Sequence, residues 1–519
     1  MHNFLFILKK ISDNWILLFC ISIVIFFHIF TLNSEKTTAN GGLGFDGSLY
    51  YNFSRWEPKD YLNNHVSPYY LSRILLPMIA HQATWAFKEL GILSTESEMH
   101  GIRKAFVFLQ SVSLALILWS LVSIAKRFSW SKSQTFALLT FSVINFAFLK
   151  VFSYEPFLTD MFSTAVITLF FRFYFYRNII LSFVAYLVAL FAHPFAFLLI
   201  TPLLIFWHDA NTSNKSRPTF IFLYNGFWYG FAFLFSAFWV IYFGLWIYDG
   251  KQSLYHMLFP TATNWSLWLL SFSVILAILY FSRKFFLPVW KYTVEKLTIN
   301  KNTFIRLSIV ALILIARKYF LNETANHFDQ PFTETTAPNY IVEICRIIGM
   351  FFHLSVQNPL IAYTTHSQYI GLSVAFILIF RKQLSDVLQK IPPGLTFSAF
   401  FILLFTMDNE SRRFTSFIPF FAIILMMMFQ DKIHFSKRLL LLIFGVNIFL
   451  SFIWLPVNQV SRAIYPPFSP VGGEVIWYSF HAPWSGTVYY SITAFLFLLA
   501  LRLVWHMKKN WPEFQAFRS

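Results

Sequence analysis

Asp46 stands between two glycines in the run Gly44-Phe45-Asp46-Gly47-Ser48-Leu49-Tyr50-Tyr51, and glycines on either side let a backbone turn tightly and carry a carboxylate close to a ligand. Held that way, an aspartate can take the proton of an attacking hydroxyl. Two further acids, Glu155 and Asp160, flank the segment Pro156-Phe157-Leu158-Thr159, where Pro156 suits the first position of a helix. A third group, Met407-Asp408-Asn409-Glu410-Ser411-Arg412-Arg413, interrupts two apolar runs. Arg73, in Tyr69-Tyr70-Leu71-Ser72-Arg73-Ile74-Leu75, and the pair Arg317-Lys318 add positive charge. Guanidiniums bind phosphate in forked geometry and stabilise an anionic leaving group.

Each feature also has an ordinary reading. Asp46 fits a plain turn, and Glu155 fits a helix cap that favours the positive dipole end. The acids and arginines of 408–413 can pair with one another, and Arg73, Arg317 and Lys318 can reach to lipid headgroups. Asp160 is harder to assign to such a role, because an ionisable group inside an apolar run usually faces a cavity.

These residues sit in a chain of 519 residues with 57% hydrophobic, 21% aromatic and only 12% charged side chains. Soluble domains carry roughly 25% charged residues. The chain therefore reads as an all-α, polytopic membrane protein, its 68 Phe, 24 Tyr and 17 Trp matching helices in lipid with aromatic belts. The apolar runs give about 14 segments near the length a span needs: 15–32, 105–125, 132–150, 157–176, 178–192, 195–207, 220–246, 265–281, 303–321, 366–380, 394–408, 414–430, 439–456 and 487–506. His193-Pro194 marks the junction of two short ones.

The net charge of +17 suggests topology rather than nucleic acid, since basic residues are not interleaved with stacking aromatics outside the apolar runs. With both termini in the cytoplasm, most Lys and Arg fall in alternate connections, which is the positive-inside pattern. The first apolar run is followed by a polar stretch without a small-residue cleavage site, so it reads as an uncleaved anchor. The opposite face then receives the long loops 33–104, 322–365 and 457–486, together with Asp46, Glu155, Asp160 and the arginines named above. Within 33–104, residues 67–90 read as an interfacial helix. In the last of these loops Trp477 and Trp484, like Tyr50 in the first, offer aromatic faces to an acceptor, or form part of an interfacial belt.

Cys20 and Cys345 have no ligand spacing, and the histidines show no HxxxH or HExxH pattern, so no metal site and no cofactor is expected from them. Asn52, Asn322 and Asn409 begin glycosylation tripeptides, which also arise by chance. A GxxxxGK[ST] nucleotide loop is absent.

Taken in order, the Asp of the first outer loop, the Pro-Tyr…Arg-Ile-Leu-x-Pro segment, the Glu-Pro-x-x-x-Asp segment and the arginine-bearing outer turn resemble the GT-C superfamily of membrane glycosyltransferases. The likeness is strongest over residues 1–180, to bacterial members whose first loop reads Gly-Tyr-Asp-Gly-x-x-Tyr; here it is Gly44-Phe45-Asp46-Gly47-Ser48-Leu49-Tyr50. The resemblance implies a bundle of about 12–14 transmembrane helices and a polyprenyl-phosphate-linked sugar as donor. It also implies Asp46 as base, with Glu155 or Asp160 as the second acid. Arg412, Arg413, Arg317, Arg73 and Lys318 are the candidates for the donor phosphate, and Tyr50, Trp477 and Trp484 for a glycan, lipid or protein acceptor. The first loop lacks the Asp-x-Asp of metal-dependent relatives, which leaves divalent-metal dependence open. The expected setting is a bacterial inner membrane with the site facing the periplasm.

Two other classes compete. A transporter or lipid flippase would place charges at the bilayer midplane between broken helices, and the short segments at His193-Pro194 favour it. An outward-acting glycan polymerase or ligase would share the phosphate-binding arginines and differ mainly in donor size.

Overall fold

The computed structural model describes residues 14–36, 43, 45–57, 60, 68–92, 97–193, 196–207, 287–293, 296–297, 300–325, 361–405, 415–430, 432–454 and 487–517. These residues are mostly helical and contain no strand. The helices are α1 (Trp15–Asn33), α2 (Phe45–Phe53), α3 (Leu75–Glu89), α4 (Glu98–Arg127), α5 (Lys132–Val143), α6 (Asp160–Phe175), α7 (Ile179–Ala189) and α8 (Ala196–Ile205). They continue with α9 (Lys301–Ala325), α10 (Ile361–Ile370), α11 (Ser373–Ile379), α12 (Arg381–Lys390), α13 (Pro393–Phe405), α14 (Ile418–Phe429), α15 (Lys437–Leu450) and α16 (Thr487–Asn510).

Among the described residues two helices, α1 and α4, are long and apolar enough to cross a membrane. A third candidate is α5 taken together with the helical segment Ala147–Tyr154, bent by 57°. The apolar run 132–150 is therefore a broken helix. Asn145 makes the break possible: its amide donates to the Ser142 carbonyl at 3.0 Å while its own oxygen accepts from the Phe148 N–H at 3.1 Å. The π-helical turn Ala147–Val151 follows, a wider winding that is rare except near functional sites.

The runs 178–192 and 195–207 become helices of 11 and 10 residues, shorter than the sequence suggests. The run 366–380 is split between α10 and α11. There Gly371 takes φ +75°, and the Leu372 N–H turns to the Asn447 side-chain oxygen of α15 at 2.9 Å. A Cβ on Gly371 would lie 2.3 Å from that oxygen, so only glycine fits. The runs 220–246 and 265–281 lie outside the described residues.

Side chains tie neighbouring helix ends to one another. Arg127 Nε donates to the Phe175 carbonyl, Gln134 to Gln430, Arg306 to Ile205 and Lys508 to Ile379. The main core joins α4, α5, α6, α8, α11 and α14 through rings such as Phe141, Phe171 and Phe376. A second, smaller core gathers Tyr50, Phe53, Leu71, Leu76, Phe106, Phe157 and Leu321. It lies at the end of the molecule that carries the first loop.

The segment read as an interfacial helix contains α3, whose Leu76, Ala80 and Thr84 are buried while Trp85 is exposed. That four-residue spacing makes one packed stripe and one open face.

Candidate functional site

Asp46 lies in the first turn of α2, not in the open turn expected of a glycine-bracketed aspartate. Gly47 is helical, and its missing side chain serves proximity: a Cβ there would lie 3.0 Å from the Phe157 Cβ. The first loop thus presses against the turn between Glu155 and Asp160. Tyr51 and Phe106 pack on Phe157 at ring-centroid distances of 6.3 and 5.0 Å, fixing that contact.

Positions 46 and 50 share a face of α2, being four residues apart. Arg73 meets both. Its Nη1 lies 3.7 Å from Asp46 Oδ2 and donates to the Tyr50 hydroxyl at 3.0 Å. The Arg73 side chain is 0% exposed and that of Asp46 16%. Arg73 is therefore an internal partner that orients Asp46. Tyr50 is fully buried with its ring against Phe53 and Tyr70, which corrects the expectation that it presents a face to an acceptor. Total burial leaves neither group a surface for a bulky substrate.

Helix α6 begins at Asp160, four residues later than Pro156 suggests. Pro156 instead occupies a turn closed by Leu158 N–H donating to the Glu155 carbonyl at 3.3 Å. Gln110, buried in the middle of α4, donates to the carbonyls of Pro156 and Leu158. An irregular backbone inside a helical bundle needs such partners, since each unsatisfied carbonyl is costly. Glu155 and Asp160 are both buried. Asp160 Oδ1 lies 3.6 Å from His193 Nε2, each side chain 1% exposed.

His193 follows α7, and the Leu75 N–H donates to the Phe191 carbonyl at 3.4 Å. Arg73 is thereby tied to the strand of chain that carries His193. The contacts close a ring from Asp46 through Arg73, Leu75, Phe191, His193 and Asp160 to Phe157 and back to Gly47.

Arg317 occupies the buried stripe of α9 with Val310 and Leu321, while Lys318, one position round the helix, is exposed. Arg317 Nε donates to the Leu190 carbonyl at 2.9 Å and its guanidinium lies 4.9 Å from the Phe197 ring centroid. It caps the end of α7, where a cation also complements the helix dipole. Neither Arg73 nor Arg317 is the open phosphate ligand expected of it. The remaining candidates Arg412, Arg413, Trp477 and Trp484 lie outside the described residues.

Comparison of the chain with known protein families, characterised proteins and solved structures finds no match.

Around the ring lies more buried charge. Lys150 pairs with Glu35 at 3.1 Å, and Ser34 just before it donates to the Ser153 carbonyl at 3.2 Å. Lys36 donates to the Thr31 carbonyl. Burial, and secondarily the Arg103 charge, push the Lys36 amine down to about 8. Among the described residues no three His, Cys, Asp or Glu side chains come together as a metal-binding group.

His193 and Gln110 are the members that sequence reasoning missed. Gln110 left a signal, a lone amide inside the apolar run 105–125. His193 left only its place at a helix junction.

Proposed function

We propose that this chain is a multi-pass membrane glycosyltransferase of the GT-C kind, transferring a sugar from a polyprenyl-phosphate donor to a glycan, lipid or protein acceptor. The membrane is a bacterial inner membrane, the site faces the periplasm, and both termini lie in the cytoplasm. The observation that carries this reading is the approach of the Asp46 segment to the turn between Glu155 and Asp160 at one end of a helical bundle, with Asp46 alone of the three acids partly open.

In the reaction the acceptor hydroxyl attacks the anomeric carbon as its proton passes to the Asp46 carboxylate. The bond from that carbon to the phosphate oxygen breaks, and polyprenyl phosphate leaves with both electrons. Arg73 and Tyr50 hold Asp46 in place, and the Asp160–His193 pair keeps the neighbouring turn fixed. Arg412 and Arg413 meet the leaving phosphate, with Lys36 and Arg103 adding positive charge at that end.

Asp46→Asn keeps the size and most hydrogen bonds of the side chain but removes the base. Transfer per folded molecule from defined polyprenyl-phosphate sugars should fall by about 10²–10⁴, together with a lower melting temperature because the buried Arg73 guanidinium loses its counter-charge. Transfer at the native rate by Asp46→Asn sinks the assignment.

The bent α5 segment supports a second reading, a transporter, because broken helices with irregular backbone line transport sites. Substrate flux into vesicles without any glycosidic product decides for it.

A further inference from the structure

Far from the first loop, the end of the bundle where α4 turns into α5 holds a groove of about 590 Å³ bounded by α1, α4 and α5. Its walls are apolar, with Leu17, Ile21 and Val24 from α1 and Leu118 and Val122 from α4. Its mouth carries Lys126 and Lys132, both exposed, and among the described residues no carboxylate lines it. Trp130 also lines the groove; it is 7% exposed, and its indole N–H has no hydrogen-bond acceptor among the described residues. A buried indole usually finds one.

The turn that carries these groups is firmly built. The Ser131 hydroxyl accepts from the Gln134 N–H and the Gln134 side chain answers to the Ser131 N–H, a capping box at the start of α5. Phe128 stacks on Trp130 at 5.1 Å. Basic groups and indole are therefore held at the mouth by the fold.

On α1 the lining runs from Ile16 to Ile25, a stretch of about 14 Å at ~1.5 Å per residue, close to half of the roughly 30 Å hydrocarbon core. Leu17, Ile21 and Ile25 are largely exposed there, so the groove opens sideways along one leaflet. A water-filled cleft would not be built of such residues.

We infer that this groove binds an anionic phospholipid from the leaflet at the Lys126–Lys132 end, its acyl chain along α1 and its phosphate between the two lysines with the Trp130 indole donating to it. A zwitterionic lipid fits the apolar wall equally but gains less from the two lysines. The groove requires α1 and α4 to lie in a membrane and does not depend on sugar transfer.

The test is native mass spectrometry of the full chain in detergent, supplemented with phosphatidylglycerol or with phosphatidylcholine of the same chains. The native chain should retain phosphatidylglycerol preferentially. The double variant Lys126→Gln, Lys132→Gln should lose about thirtyfold in that affinity, each lysine near an anionic headgroup contributing roughly fivefold. Trp130→Phe, which removes the N–H donor and part of the buried ring while keeping an aromatic beside Phe128, should lose a smaller part of that affinity and melt at a somewhat lower temperature. Equal retention of the two lipids by the native chain, or an unchanged preference in the double variant, overturns the inference. Sugar transfer is not a readout here, so failure of this site is distinct from failure of the glycosyltransferase reading.

Discussion

Lys432 lies 5.6 Å from the Phe517 ring centroid, Lys508 5.0 Å from Phe380 and Arg438 4.8 Å from Trp511, at the end of the bundle closed by α16 and the short 3-10 turn Pro512–Phe517. At the first-loop end, by contrast, Arg73 reaches a carboxylate and a phenol, and Lys150 a carboxylate. Both ends are rich in cations and rings. They differ in what the cation is paired with and how deeply it is buried: a partly wet cation on a ring is an anchor of modest strength, whereas a buried pair of opposite charges is a commitment that fails if one member is removed. The contrast separates the charge that seats the molecule from the charge that shapes a site.

The sharpest way to break that contrast is to delete one cation at each end. Arg73→Met strips Asp46 and the Tyr50 hydroxyl of their buried donor and should cost about 3–5 kcal/mol. Lys508→Met, losing the Phe380 ring and a hydrogen bond to the Ile379 carbonyl, should cost about 1–2 kcal/mol. Denaturation in detergent measures both, and equal costs would erase the distinction.

Packing gives the next largest effect. Phe380 stacks near Phe376, Phe429, Phe514 and Phe517, all buried, with ring centroids 5.1 to 6.0 Å away. Phe380→Ala leaves a cavity that several rings can partly fill, so its cost should fall near 3 kcal/mol, the low end for such a change. Transfer per folded molecule should not change, because this end holds no proposed reacting group. A drop in transfer by folded Phe380→Ala would show that the two ends are coupled.

Gly47→Ala tests the close approach at the first-loop end. The new methyl would press on the Phe157 Cβ at 3.0 Å, so α2 or the Pro156 turn must shift, at about 1–3 kcal/mol. Transfer should fall by more than stability alone explains, because Asp46 moves with α2. Retained transfer would mean that the position of Asp46 is tolerant to this shift.

Much of the first-loop site was legible because its residues are chemically out of place: acids beside glycine and proline within an apolar chain draw notice by type and spacing alone. Arg73 was legible as a charge, but its partner was not, since the register that brings it to Asp46 and Tyr50 comes from the packing of α2 against α3. Tyr50 was misjudged for the same reason, as burial is a tertiary property. The helical class was legible from apolar runs, yet the breaks were not. The bend after Val143 depends on Asn145 side-chain bonds, and the split at Gly371 on Asn447, 76 positions along the chain. Apolar composition alone is equally compatible with a straight helix. His193 became visible only when folding placed it beside Asp160.

The smallest effect concerns Lys36, which follows α1 at the first-loop end and whose amine donates to the Thr31 carbonyl. Its pKa falls from the ordinary 10.5 to about 8, chiefly through burial and then through Arg103. Between those two values the unfolded chain holds more protons at this group than the folded chain, so stability rises as pH climbs through that window. Below about 8 the folded protein carries the full cost of a half-buried charge. Because much of the amine still meets solvent, the gain across the window should stay within about 1 kcal/mol. Lys36→Gln has no such proton to lose and should flatten the difference between melts taken at the two ends of that window. If native and variant chains show the same rise, the pH response belongs to other groups and the burial of Lys36 is not what sets it.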